Sequence, residues 1–225
     1  MSAALAQYSA TPRPAARLAV ILPFPTEAAH RATPQMLHFA QDSGIYEEGD
    51  AAHTYYKVVS GVVRTCRFSA DGRRHIDAFY TEGDVFGFEL GADHVFSAEA
   101  VTACSLQPCR RRGLEEAVAQ DGESALQLYT YAMRQLTRAR AHSQLLGRCS
   151  AVQKLAAFLL ELSAERKTMP IELPMTRQDI GDYLGLTIET VSRTLAQLEK
   201  GGVIHLLAAR LITVKNRTAL EDMSA

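Results

Sequence analysis

The sequence predicts an α+β protein in three successive parts: a strand-rich N-terminal half, a long helix and a C-terminal winged helix-turn-helix. Three observations carry this. Gly49, Gly61, Gly72 and Gly83 cut runs rich in Tyr, Val, Phe and Thr at intervals of 12, 11 and 11 residues, the rhythm of strands and turns in a β-sandwich or barrel. Ala125, Tyr129, Ala132, Leu136, Ala139, Ser143 and Leu146 follow at spacings of 4, 3, 4, 3, 4 and 3, a heptad seam sustained on one helix face. The stretch Thr176 to Lys200, TRQDIGDYLGLTIETVSRTLAQLEK, reads as two helices joined at a glycine.

Composition bounds the function. The chain has 225 residues, 47% of them apolar, and a formal net charge of -1. That suits two small domains and is too apolar for a disordered chain. A near-zero charge excludes a bulk polycation, so any nucleic-acid surface must be a local patch. The apolar run Leu18 to Leu22 ends at Pro23, far short of the roughly 20 residues a membrane span needs and too short for a secretory signal. Cys66, Cys104, Cys109 and Cys149 are scattered without a C-x-x-C pair, which argues against zinc and for reduced structural thiols in a cytoplasmic protein.

The elements follow in order. Residues 1–35, with Pro12, Pro14, Pro23, Pro25 and Pro34, read as an arm with little regular structure. Residues 36–123 form the β domain. Its expected strands are Tyr55 to Val59, Val62 to Thr65, His75 to Tyr80 and Ala98 to Thr102, with a hairpin turn at Asp71-Gly72. Residues 124–148 form the long helix, whose seam of mostly small residues suits either a second helix or its own β domain. A further helix spans about Val152 to Glu165, and Pro170 and Pro174 bracket an extended Ile171-Glu172-Leu173. The C-terminal domain is 149–225, and its tail after about Thr218 carries no motif.

Within that domain, Thr176 stands three residues before Asp179, the spacing of a capping box. Ile180 and Leu184 face inward, Gly181 allows a close crossing, and Gly185 supplies the positive φ that ends the helix. Leu186 fills the corner and Thr187 can cap the next helix, whose buried stripe is Val191, Leu195 and Leu198. The opposite face presents Glu189, Ser192, Arg193 and Ala196, where a recognition helix meets base edges. Arg can bond a guanine edge with two hydrogen bonds, Glu can accept from cytosine N4, and Ser serves either role. Val203 to Leu206 and Leu211 to Val214 make two wing strands. Arg177, Lys200, Arg210, Lys215 and Arg217, with Thr176 and Thr187 at the helix starts, are candidate phosphate contacts.

A β-roll, a long heptad helix and a winged helix-turn-helix, in that order, resemble the CRP/FNR family of bacterial transcription regulators. The strings QDIGDYLGLTIETVSRTL and EGDVFGFELG resemble the FNR branch, and within it the FixK subgroup most. The resemblance implies a cyclic-nucleotide-binding-like β-roll and a homodimer joined along Tyr129, Ala132, Leu136, Ala139, Ser143 and Leu146. It implies reading of a TTGAT-type palindrome by Glu189, Ser192 and Arg193. Ile188 stands where CRP-type members carry an Arg, which disfavours a CRP-type half-site. The resemblance also implies an RNA polymerase contact by the loop from Ser69 to Arg74, with Ser69, Asp71 and Arg73. It implies mainly activation, of genes for low-oxygen respiration, nitrogen metabolism and nitrogen fixation.

Two departures from the family pattern bear on cofactors. The FNR cluster cysteines lie near the N-terminus, and here no Cys precedes Cys66, so no iron–sulfur cluster is expected in that form. CRP-type pockets hold a cyclic phosphate with an Arg after a Gly-Glu-Leu run. Gly87-Phe88-Glu89-Leu90 is an interrupted echo, and no Lys or Arg lies between Arg74 and Arg110. Cyclic AMP is therefore not expected to bind, and no cofactor or metal is expected. The alternative is a haem- or nitric-oxide-sensing regulator of the same fold, with His75, His94 or His142 as ligands. Cys149 beside Arg148 is a possible redox thiol. No catalytic motif is present: G-x-S-x-G, G-x-x-x-x-G-K-[ST], H-E-x-x-H and G-x-G-x-x-G are all missing, so no enzyme is expected.

The near-neutral charge conceals an asymmetry. Residues 46–110 carry six Lys/Arg against ten Asp/Glu, whereas residues 170–217 carry six against five. A carboxylate-rich β domain disfavours a phosphate ligand, and DNA binding must rest on the placement of a few cations.

Overall fold

The computed structural model describes residues 35–165 and 170–224. The predicted N-terminal arm lies outside the described residues, apart from position 35. Eight strands come first: β1 (Leu37–Phe39), β2 (Gly44–Tyr46), β3 (Thr54–Ser60), β4 (Val63–Phe68), β5 (Arg74–Tyr80), β6 (Val85–Phe86), β7 (Ser97–Ala100) and β8 (Cys104–Arg110). They make two four-stranded antiparallel sheets, ordered β1-β8-β3-β6 and β2-β7-β4-β5. All four strands read from the sequence are present, although the last ends at Ala100 rather than Thr102. The short β1, β2 and β6, and the long β8, were not read. The first three are too short for an alternating pattern, and β8 lacks the β-branched residues that mark a strand.

The sheets close on an apolar interior. Val58, Val63, Phe86, Ala98, Ala100 and Leu106 meet there with Tyr46 and Cys104, and Tyr56 and Tyr80 pack against them. Fully burying an aliphatic or aromatic side chain of this kind stabilises by about 1.5–3 kcal/mol. Gly61 turns the chain between β3 and β4 at φ +87, with Cys104 Cβ 2.6 Å from where its own Cβ would stand. The β4–β5 hairpin turns at Gly72, φ +80, as Asp71-Gly72 predicted.

Helix α1 (Arg111–Gln120) and helix α2 (Gly122–Arg148) follow. A second cluster of Tyr55, Val85, Cys109 and Leu114 receives Phe88, Val118, Leu128 and Tyr131 from its surroundings. The Tyr131 hydroxyl donates to the Val85 carbonyl at 2.7 Å, and its ring lies 5.7 Å from that of Phe88. The long helix is thus seated on the roll by its first turns. The described residues divide into two compact units, and residues 174–188, with helix α4 (Arg177–Leu184), belong to the same unit as the roll and α2.

The other unit contains α3 (Ala151–Glu165), β9 (Ile171–Glu172), residues 189 onward of α5 (Ile188–Lys200), β10 (Ile204–Ala208), β11 (Leu211–Val214) and α6 (Arg217–Ser224). Its sheet runs β10-β11-β9, so the extended piece between the prolines is a third strand beside the wing. The tail read as carrying no motif is helix α6, whose Leu220 is fully buried and which packs on α3. One apolar residue per turn is too weak a stripe to show as periodicity in eight residues. Leu155, Leu159, Val191, Leu195 and Ile212 are each fully buried in this unit.

Gly61 and Gly72 separate two constraints, since a Cβ at Gly72 meets nothing within 4 Å. Gly72→Ala is expected to lose about 1–2 kcal/mol from its left-handed backbone alone. Gly61→Ala is expected to lose ~1–3 kcal/mol more from overpacking. Urea unfolding midpoints check this; equal shifts in the two variants would disprove the close approach.

Candidate DNA-binding site

The site begins at the N-terminus of α4. Thr176 is its cap with extended backbone, and the predicted capping box is complete. The Asp179 N–H donates to the Thr176 hydroxyl oxygen at 3.1 Å, and the Thr176 N–H donates back to Asp179 Oδ2 at 2.9 Å. The Thr176 hydroxyl donates to the same Oδ2 at 2.8 Å. At the other end Gly185 has φ 62 and ψ 42, the left-handed stop expected of it. The N–H of Leu186 donates to the Gly181 carbonyl at 2.9 Å. A Cβ on Gly181 would lie 2.7 Å from the Leu186 carbonyl oxygen. The close approach at Gly181 is therefore to the turn itself rather than to a second helix.

Asp179 also meets the β domain. Val63 belongs to the core, so alternation turns Arg64 to the opposite face of β4. There Arg64 is only 7% exposed. It donates to Asp179 Oδ1 at 3.1 Å and to Glu99 of β7 at 2.7 Å. Arg74 of β5 pairs with Asp179 Oδ1 as well, and donates to Asp182 Oδ2 at 2.8 Å. Burial would raise the Asp179 carboxyl. The Thr176 N–H and hydroxyl and the two guanidiniums outweigh it and hold the carboxyl below its ordinary value. Sequence inspection missed Arg64, Arg74, Glu99 and Asp182, because these partners lie 105–115 positions from α4 for the two arginines and no local pattern links them.

On α5 the buried side chains are Val191, Thr194, Leu195 and Leu198, the predicted stripe with Thr194 added. Glu189, Arg193 and Ala196 are exposed and Ser192 is half-buried. Arg193 Nη2 reaches the Thr190 hydroxyl at 3.4 Å, so its guanidinium is steadied on its own helix. The C-terminus of α5 turns at Gly202, φ 69. Glu199 accepts from the Leu206 N–H at 2.8 Å and lies 3.2 Å from His205 Nδ1, which ties α5 to β10. Strands β10 and β11 pair antiparallel, Ile204 opposite Val214, with Arg210 at the hairpin tip. Among the other phosphate candidates, Thr187, Lys200 and Lys215 are exposed and Arg177 is half-buried. Arg217 differs: it pairs with Glu221 at 2.9 Å and reaches the Ser163 hydroxyl at 3.3 Å.

The seam residues of α2 lie mostly on its open side. Tyr129 and Leu136 are 63% and 41% exposed, Ala132, Ala139 and Ser143 are exposed, and Leu146 is half-buried. Leu126 and Met133, which the small-residue seam passed over, are 64% and 41% exposed. With Tyr129 and Leu136 they make an apolar stripe at spacings of 3, 4 and 3, uncovered in one chain. In the β4–β5 turn the Ser69 hydroxyl donates to Asp71 at 2.8 Å, and Arg73 pairs with Asp71 at 2.7 Å. The Ser69 hydrogen bond and the Arg73 contacts hold the exposed Asp71 carboxyl below its ordinary value.

The region of Gly87 to Leu90 is packed with rings. Phe88 stacks on Tyr55 at 4.3 Å, and the buried His94 stacks on Tyr46 at 3.7 Å. His94 Nδ1 stands 3.7 Å from Glu89, and burial holds the imidazole below its ordinary pKa. Arg111 reaches this loop from α1, beyond the stretch lacking cations, but its guanidinium is taken by the Gly91 and Leu90 carbonyls and by Glu115. Of the other histidines, His75 is exposed on β5 and His142 stacks on Tyr183 at 4.1 Å. Cys66, Cys104 and Cys109 are buried and Cys149 is half-buried. Burial raises the Cys66 and Cys109 thiols to about 11. Among the described residues no three His, Cys, Asp or Glu side chains gather as metal ligands, and no helix is long and apolar enough to cross a membrane.

Because its folded pKa is depressed below the unfolded 3.8, Asp179 contributes stability that is present above that pH and lost as pH falls through the folded value. Asp179→Asn should lower the urea midpoint at pH 7, and its deficit against the wild type should shrink below about pH 4. A deficit independent of pH would contradict this.

Comparison with known proteins closes the case for the family. Residues 36–121 match the cyclic nucleotide-binding domain family, and residues 153–223 match the Crp-like helix-turn-helix domain family. The nitrogen fixation regulation protein FixK of Azorhizobium caulinodans is 43% identical over 193 residues, 83% of this chain and 78% of that protein. The fumarate and nitrate reduction regulatory protein of Escherichia coli is 30% identical over 187 residues, 80% of this chain and 74% of that protein. The solved structure of FixK2 from Bradyrhizobium japonicum superposes with a TM-score of 0.83 at 40% identity, covering 86% of this chain and 98% of that one. The chain therefore belongs to the CRP/FNR family of transcription regulators and is FixK-like within it.

Proposed function

We propose that the chain acts as a cytoplasmic homodimeric activator that binds a TTGAT-type palindrome and recruits RNA polymerase to genes of low-oxygen respiration and nitrogen metabolism. The observation that carries this reading is the face of exposed Glu189 and Arg193 with half-buried Ser192 at the start of α5, on a helix whose opposite side is buried. In a dimer, two such helices enter successive major grooves about 34 Å apart. Arg193 takes a guanine edge, Glu189 a cytosine amine and Ser192 either. Thr176, Arg177, Thr187, Lys200 and Arg210 position the protein on the backbone. Arg217 is the weakest backbone candidate, since its charge is already paired with Glu221.

The uncovered stripe of α2 supports the dimer. Four large apolar side chains at heptad spacing on a 27-residue helix suit a coiled-coil partner. The Ser69, Asp71 and Arg73 turn is the proposed polymerase contact, because its exposed charges are held in a fixed hairpin. The protein acts without cyclic AMP or an iron–sulfur cluster. In support, rings occupy the roll beside Gly87 to Leu90, and Cys66, Cys104 and Cys109 are buried thiols rather than thiolates.

Three experiments test the reading. Selection of bound sites from random DNA should return a TTGAT-type palindrome, and Arg193→Ala should weaken that site by about 1–3 kcal/mol while relaxing the guanine preference. Undiminished binding in a gel-shift titration would refute the assignment. Met133→Glu, which puts a charge in the α2 stripe, should shift the protein from dimer to monomer in sedimentation equilibrium. A variant that stays dimeric would refute this interface.

A further inference from the structure

Three side chains on one face of α4 reach partners on the β domain and α2. Asp179, Asp182 and Tyr183 stand at i, i+3 and i+4. Asp179 divides its two oxygens. Oδ2 accepts from Thr176 and closes the local cap, whereas Oδ1 accepts from both Arg64 and Arg74. Asp182 divides likewise, with Oδ2 to Arg74 and Oδ1 to Gln178 at 2.6 Å. Tyr183 lies between Phe79 of β5, ring centroids 5.3 Å apart, and His142 of α2.

The guanidiniums are themselves braced. Glu99 accepts from Arg64 at 2.7 Å and stands 3.9 Å from Arg74. Side-chain exposures are 9% for Arg64, 2% for Asp179, 18% for Arg74 and 11% for Asp182. Solvent screening is weak at such burial, and removing one partner leaves a charge that water cannot reach. This separates the cluster from the open pair of Arg73 and Asp71, whose side chains are 85% and 49% exposed.

We propose that Arg64 and Arg74 are positioning residues for DNA binding, holding α4 on β4 and β5 through Asp179 and Asp182. Its consequence for DNA rests on the function proposed above; its anchoring does not. Thr176 and Arg177, the backbone contacts proposed at the start of α4, are then presented without reordering when DNA arrives. An Arg suits this position better than a Lys, because a guanidinium can donate to two carboxylates at once and an ammonium is a point charge.

The test uses the full-length protein. In the absence of DNA, hydrogen exchange at the α4 amides should quicken about tenfold in Arg64→Gln and in Arg74→Gln, while the β10–β11 hairpin keeps its protection. Unchanged α4 exchange would overturn the proposal. So would equal quickening in α4 and the hairpin, which signals general loss of stability. Should Arg64→Gln fail to fold, the more exposed Arg74→Gln and the milder Arg74→Lys carry the measurement. On DNA, Arg74→Gln should bind the wild-type site about tenfold more weakly without changing base preference. Arg74→Lys, which keeps a cation beside Asp179 and Asp182, should lose less than Arg74→Gln. Undiminished affinity in Arg74→Gln, or Arg74→Lys no better than it, would overturn the proposal. If the wild type selects no symmetric site, the function proposed above fails, and the exchange measurement alone decides the anchoring.

Discussion

A carboxylate taken out of water must find replacements for every hydrogen bond it leaves behind, and Asp179 finds all of them. Its cap partners are three residues away, whereas its cationic partners are more than 100 positions distant. The local part starts α4 at Thr176. The distant part requires that β4, β5 and β7 be paired in register, since Arg64, Arg74 and Glu99 converge from three neighbouring strands. The cluster therefore reports on the whole sheet. It also accounts for four consecutive buried residues in β4, Val63 to Cys66, where one face would ordinarily be open. Cys66 shares this environment: burial and then the Glu99 charge raise its thiol, so it is inert rather than reactive.

The roll interior shows a second economy. Tyr46 packs against Tyr56, Phe86 and His94, and Phe88 separately stacks on Tyr55. Tyr131 of α2 meets Phe88 in this second cluster and donates to the Val85 carbonyl. Packing of the chain's own rings seats the long helix. Charge is divided as well: carboxylates crowd the roll, while the cations of the C-terminal domain are few and mostly at its surface.

Much of this was legible in the sequence. The capping box at Thr176 and Asp179, the stop at Gly185, the stripe of Val191, Leu195 and Leu198, and the turn at Gly72 all rest on interactions within a few residues. Such interactions leave their spacing in the chain. The exposed face of Glu189 and Arg193 was legible too, since a helix buried on one side must show the other. Other features were not. The open stripe of α2 includes Leu126 and Met133, because helix rotation about its axis depends on where Tyr131 and Leu128 dock. Helix α6 is held by Leu220 through packing that eight residues cannot advertise. The ring cluster needed the sheets to be folded before its members became neighbours.

The order of elements, the ends of helices and the composition of the open face of α5 were written in the sequence, because caps, turns and amphipathic stripes are short-range. Only the tertiary structure decided what α4 rests on. Arg64 and Arg74 look like ordinary strand charges until the sheet brings them to one carboxylate oxygen. That meeting is set by the pairing of β4 with β5 and by the docking of α4 from more than 100 residues along the chain, and no local spacing encodes it.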